Sequence, residues 1–163
     1  MARADILRFR EELGIDYLDT LLMHCMSRGN WPADFRPMMD VLSKAKDKKW
    51  VRAVGVSCHG MEPLRTAAKT DWVEVNLARI NPVGVKAMMD RAPDEVVPCL
   101  KAMHAQGKGV LGMKILGEGR FKTEEEQLRF VLGLGCVDAF CIGFEAPEQI
   151  DQITRLIKAA LKG

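Results

Sequence analysis

Short, largely apolar, β-rich runs alternate with helical patterns along this chain. That alternation restricts its possible folds more than any other feature. The runs cover residues 17–23, 51–56, 72–77, 109–113 and 137–142. Ile6, Phe9 and Leu13 form an apolar stripe before the first run, and Phe35, Met38, Met39 and Leu42 form another after it. Leu64, Ala67 and Ala68 mark a shorter helix, and Val96, Val97, Leu100 and Met103 a longer one. Leu128, Val131 and Leu132 follow Thr123, which with Glu126 has the spacing of a capping box. Ile150, Ile153, Ile157 and Leu161 close the chain. These spacings follow the 3.6-residue helical period. The β-rich runs carry few polar residues on either face, as strands of a parallel sheet covered by helices do. The chain therefore reads as repeated strand–helix units of about 30 residues, with no linker or low-complexity tract between them.

Five such units fit two α/β architectures. One is a complete five-stranded doubly wound sheet. The other is part of a (β/α)8 barrel, since eight units of about 30 residues approach the roughly 250 typical of that fold. A doubly wound nucleotide binder calls for a glycine-rich turn after its first strand, but here that turn is His24-Cys25-Met26. The chain also opens on a helix. Both points favour the partial barrel, with residues 1–163 as a single C-terminal portion of it. The segment 78–94, with Pro82, Gly84 and Pro93, is the longest irregular stretch, and such loops are often functional.

Composition narrows the function. A net charge of +2 and 6% aromatic residues argue against a nucleic-acid surface. Lys44, Lys46, Lys48 and Lys49 cluster where a helix ends, and cations there complement the helix dipole. No apolar stretch approaches the roughly 18 residues of a membrane span, and the N-terminus has no signal-peptide core. Five cysteines without a CxxC pair suggest reduced thiols and a cytoplasmic location. His24, Cys25, Cys58 and His59 are possible zinc ligands, but strand alternation sends the members of each pair to opposite sides. No metal site is therefore expected.

Chemistry in either architecture gathers at the C-terminal ends of the strands. Those positions read His24-Cys25, Ser57-Cys58-His59, Asn76 to Asn81, Met113-Lys114 and Gly143-Phe144-Glu145. The motifs around them resemble the C-terminal part of an aldo-keto reductase. LGIDYLDTLLMH (13–24) is similar to the family segment that ends in the active-site histidine. VRAVGVSCH (51–59) resembles its fifth strand, GVLGMKILGEG (109–119) its seventh strand and loop, and CIGFEAPEQIDQI (141–153) its eighth strand and last helix.

The resemblance implies a (β/α)8 barrel and hydride transfer between NAD(P)H and the carbonyl or alcohol of a small molecule. It makes His24 the group that polarises and orients the carbonyl. The family's Asp, Tyr and Lys belong to strands that would precede Met1. The resemblance gives Ser57 and Cys58 to the nicotinamide carboxamide, with Cys58 where the family often has Asn. Leu77 occupies the usual place of a Gln, and Asn76 substitutes for it only if its side chain points inward. Met113 stands where an aromatic ring often stacks on the nicotinamide, and Lys114 faces either an anion or solvent. Leu116, Gly117 and Gly119 match the phosphate-side loop, where glycines let a backbone approach a pyrophosphate. Gly143 and Phe144 lead into the last helix, whose N-terminus can receive a phosphate. Gly143 and Gln149 occupy positions where NADP-selective members carry Lys and Arg, and Ile153 replaces an adenine-contacting Asn. Weak or absent NADP selectivity follows.

The sequence thus points to an NAD(P)-dependent oxidoreductase of the aldo-keto reductase type, represented by its C-terminal portion and incomplete for catalysis alone. The alternative is a non-catalytic half-barrel that self-associates or pairs with a partner through exposed sheet edges.

Overall fold

The computed structural model describes residues 2–119 and 124–161. Thr123, and with it the expected capping box, lies outside the described residues. The fold is α/β, with five strands in one sheet ordered as they occur in the chain. This sequential order, with no reversal, excludes the doubly wound alternative, whose strand order must switch direction. The chain divides into two compact units, residues 1–76 and 77–163.

In the first unit, α1 (Ala2–Leu13) precedes β1 (Leu18–Met26). A one-turn helix α2 (Trp31–Asp34) and α3 (Arg36–Asp47) lead to β2 (Val51–Cys58). Then come α4 (Met61–Lys69) and the start of β3 (Val75–Arg79). The stripes seen in sequence are buried only in part: Ile6 on α1, Met39 and Leu42 on α3, and Leu64, Ala67 and Ala68 on α4 are buried, whereas Leu13, Phe35 and Met38 are exposed. The third strand starts three residues later than its apolar run suggested. Trp72 serves a different purpose, donating from Nε1 to Ser43 Oγ at 2.9 Å and stacking at a tilt against buried Trp31. Strands β1 and β2 pair in parallel from Leu18↔Val51 to Met23↔Val56. The register then shifts, and Met26 pairs with Cys58. One extra residue in β1 makes this a bulge.

In the second unit, β3 gives way to a loop with a short 3₁₀ turn at Gly84–Ala87, then α5 (Pro93–Ala105) and β4 (Gly109–Met113). A second 3₁₀ turn, Gly117–Gly119, is followed by α6 (Glu124–Gly133), β5 (Ala139–Phe140) and α7 (Pro147–Ala160). The last strand is far shorter than the run 137–142 that announced it. Leu111↔Ala139 and Gly112↔Phe140 are its paired residues.

The two units share a local device at their strand starts. Glu74 N donates to Val54 O at 3.0 Å, while Glu74 Oε2 accepts from Val54 N at 3.0 Å. Asp138 N donates to Val110 O at 2.9 Å, while Asp138 Oδ2 accepts from Val110 N at 2.7 Å. Glu74 and Asp138 thus each clasp both backbone groups of one residue on a neighbouring strand, the carboxylate taking its N–H and their own backbone N–H its carbonyl. A basic side chain from a preceding helix supports each clasp, Lys46 for Glu74 and His104 for Asp138. Lys46 explains why part of the lysine cluster sits at the end of α3. Glu74→Ala removes an acceptor and an ion-pair partner. Because both side chains are more than a third exposed, the expected cost is only about 1 kcal/mol, readable by urea denaturation.

Among the described residues, no helix is long and apolar enough to cross a membrane.

Candidate functional site

The site residues expected from sequence fall into two groups, one in each unit. In the first unit, the end of β1 carries the bulge. Cys25 adopts a left-handed backbone, φ 65°, which is unusual for a residue with a β-carbon. Alternation fails at this point. Alternation sends His24 and Cys25 to opposite sides, and likewise Cys58 and His59, yet His59 comes near both His24 and Cys25. His59 N donates to Met26 O at 2.8 Å, tying the two strand ends together. The His59 ring then meets the His24 ring edge-on, with centroids 5.9 Å apart. His59 Nδ1 also lies 3.3 Å from Cys25 Sγ. Among the described residues, no group of three or more His, Cys, Asp or Glu side chains is arranged to hold a metal ion. His24 itself is exposed and lines a cleft of about 260 Å³ with Ile6, Phe9, Leu22, Phe35 and Met38.

Ser57 and Cys58, at the end of β2, and Asn76 on β3 are all buried. Cys58 behaves as a small core residue, 1% exposed. The other two differ from it. Ser57 Oγ, Asn76 Nδ2 and Asn76 Oδ1 find no hydrogen-bond partner among the described residues. An amide and a hydroxyl withdrawn from water without partners are costly, each by about 1–3 kcal/mol. Native structures seldom tolerate this without a reason, and an absent ligand is one.

In the second unit, Met113, Lys114, Leu116, Gly119, Gly143 and Phe144 line one cleft of about 720 Å³, together with Glu118, Glu124, Glu145, Gln149 and Ile153. This is within the size range of small-molecule sites. Gly117 lies buried in the loop behind them. The loop is built from left-handed backbone. Lys114, Gly117, Glu118 and Gly119 all have positive φ, at 58°, 54°, 60° and 74°. Gly117 N donates to Lys114 O and Gly119 N to Leu116 O, both at 3.0 Å. A β-carbon at Gly119 or at Gly143 would meet nothing within 4 Å, so both backbones border open space.

The charges of this cleft differ from a simple anion site. Lys114 forms an ion pair with Glu118, so it is not a lone cation facing a phosphate. Among the described residues, the carboxylates of Glu118, Glu124 and Glu145 line the cleft together with Lys114. At the start of α7, Gln149 Oε1 accepts from Glu145 N at 2.8 Å and Ala146 N at 3.3 Å. Two amide donors that a phosphate would use are thereby already engaged.

One residue that orders the site was missed in sequence. Asn81 is fully buried, and its side chain makes four hydrogen bonds. Nδ2 donates to Ala87 O at 2.8 Å and Lys114 O at 3.1 Å. Oδ1 accepts from Val83 N at 3.1 Å and Gly84 N at 3.0 Å. Asn81 thus folds the 78–94 segment onto itself and fixes the backbone where β4 enters the cleft. The run Asn81-Pro82-Val83-Gly84 is a recognisable side-chain turn and was the available signal.

The fold has known counterparts. The chain matches PA4992 of Pseudomonas aeruginosa, a protein assigned to the aldo-keto reductases, with a TM-score of 0.78 at 19% identity. The match covers 98% of this chain and 57% of that one. It matches AKR11C1, an aldo-keto reductase from Bacillus halodurans, with a TM-score of 0.73 at 14% identity, over 95% of this chain and 60% of that one. It matches an aldose reductase from Giardia lamblia with a TM-score of 0.70 at 14% identity, over 96% and 62%. The chain thus spans somewhat under two thirds of the length of these solved structures, and its fold is part of their barrel. None of the curated proteins is a significant match. The family model "Aldo/keto reductase family" matches residues 1–132, most of the sequence, and so the chain belongs to the aldo/keto reductase family.

Proposed function

We propose that residues 1–163 hold the nicotinamide-cofactor side of an NAD(P)-dependent carbonyl reductase, with His24 at the substrate carbonyl. The observation that carries this reading is the set of unpartnered buried polar atoms on Ser57 and Asn76. A carboxamide offers two N–H donors and one carbonyl acceptor. Asn76 Oδ1 would accept from that amide, and Asn76 Nδ2 and Ser57 Oγ would donate to its carbonyl. Filling these atoms would offset the desolvation they carry. The dinucleotide, when bound, supplies the hydride. His24 would donate a hydrogen bond to the substrate carbonyl oxygen and draw electron density from the carbon that accepts hydride.

The only tyrosine, Tyr17, precedes β1 and lies at the opposite end of that strand from His24. These residues therefore bind and orient, and they need a proton donor from elsewhere for turnover. Five free cysteines suit a reducing, cytoplasmic compartment.

The test is a titration of the purified chain with NADH and NADPH. The readout is quenching of the three tryptophans, Trp31, Trp50 and Trp72, with light scattering on the same sample. All three belong to the unit that holds Ser57 and Asn76. Saturable quenching is expected. A folded, discrete species that binds neither nucleotide would overturn the reading and leave a non-catalytic half-barrel. By the family resemblance, Gly143 and Gln149 stand where NADP-selective members carry Lys and Arg, which gives no advantage to the extra 2′-phosphate. NADH and NADPH should therefore bind with affinities within about tenfold of each other, a difference below roughly 1.4 kcal/mol.

A further inference from the structure

We infer that Cys25 is a thiol-modification site, activated by His59 and suited to exchange with a low-molecular-weight disulfide. Three observations place it apart from the other cysteines. First, Cys25 is exposed, whereas Cys58 and Cys136 are buried. Second, its Sγ lies 3.3 Å from His59 Nδ1, so a nucleophile and a base are within hydrogen-bonding reach. Third, the pair is held by the backbone. The bulge turns Cys25 into a left-handed conformation, and the Met26–His59 hydrogen bond fixes the neighbouring strand end. Strain of this kind, of order 1–3 kcal/mol, persists only where the surrounding structure enforces it. Here it brings a thiol and an imidazole together on adjacent strands.

The chemistry follows from that geometry. With the imidazole proton on Nε2, the Cys25 thiol donates to His59 Nδ1. As Sγ attacks one sulfur of glutathione disulfide, its proton passes to Nδ1. The new bond joins Cys25 Sγ to that sulfur, and the glutathione S–S bond breaks. The departing glutathione thiolate takes the proton, so one protein thiol and one disulfide become a mixed disulfide and one free glutathione. Cys25 sulfur is oxidised, and the departing sulfur is reduced. The adduct would sit next to His24, and reduction by a thiol would reverse it.

The chain contains its own reference. Cys141 is also exposed but belongs to a different strand end. The native chain would be exposed to glutathione disulfide, and each cysteine-containing peptide followed by mass spectrometry. Cys25 should form its adduct at least about tenfold faster than Cys141. In His59→Asn, the Cys25 rate should fall to within about twofold of the Cys141 rate, which should itself be unchanged. Burial pushes the Cys136 thiol above its ordinary range, so Cys136 should stay unmodified in any folded variant and reports on folding. If His59→Asn exposes Cys136, then His59→Gln replaces it, and the native Cys25 to Cys141 ratio still decides. Equal rates at Cys25 and Cys141 in the native chain would overturn the inference. So would a Cys25 rate that ignores the loss of His59. Neither outcome depends on nucleotide binding, so this test can fail without touching the proposed function.

Discussion

Gly55→Ala should destabilise the protein by about 3 kcal/mol or more, at or above the upper end for overpacking a filled interior. Gly55 lies in the middle of β2. A β-carbon there would run into the backbone carbonyl of Val75, well inside the 3.0 Å that real β-carbons keep. A flexible side chain could swing aside, but a strand carbonyl cannot move without loosening the ladder that holds it. Domains of this size are stable by only about 5–15 kcal/mol, so the variant should lose much of its margin. Urea denaturation reads the change as a lower midpoint at constant slope. Gly133→Ala is the control. A β-carbon there meets nothing within 4 Å, and the position ends α6. That substitution should be neutral or stabilising by a few tenths of a kcal/mol. Equal effects at the two glycines would show that β2 tolerates displacement from β3.

Asn76→Leu should move stability and cofactor binding in opposite directions. The side chain is fully buried, and both of its polar atoms lack partners among the described residues. Leucine has nearly the same shape and no polar atom to desolvate. The folded state should therefore gain about 1–3 kcal/mol. If Asn76 meets the nicotinamide carboxamide, the same substitution leaves that group buried without its partner. NADH affinity should then fall by about tenfold to a hundredfold. This divergence distinguishes a ligand contact from a merely awkward core residue. A variant that is more stable and binds NADH as before would remove Asn76 from the site. A variant that loses both stability and binding would show that Asn76 has a structural partner outside the described residues. Ser57→Ala should follow the same pattern with smaller amplitudes, because one hydroxyl replaces two amide groups.

Much of this could be read from the sequence, because the signal is periodic. The run 109–113 coincides with β4, and the stripes located α1, α3 and α4, although Leu13, Phe35 and Met38 are exposed. The motif ending in Ser57 and the position of Asn76 directed attention to the atoms that proved unpartnered. The departures have local causes. Trp72 counts as a strand residue by composition but is drawn to Ser43 and Trp31. Strand β5 begins only after Asp138, whose carboxylate accepts from Val110 N. The meeting of His24, Cys25 and His59 was hidden because period-two reasoning assumes an unbroken pleat, and one bulge changes which side chains face one another. The pairing of Lys114 with Glu118 depended on a left-handed turn that residue types alone do not reveal.

The paired carboxylate clasps, Glu74 on Val54 and Asp138 on Val110, have a consequence for how this fold accommodates change. Both act where strands begin, while the bulge, the glycine loop and the unpartnered polar groups lie toward where strands end. A one-residue slip of either clasped strand would break a backbone–backbone hydrogen bond, an amide–carboxylate hydrogen bond and the contact with Lys46 or His104 at once, before it turned the core face outward. Alignment is thus set by side chains remote from the proposed site. The opposite rim is left free to be rewritten, loop by loop, without each revision having to solve strand alignment again.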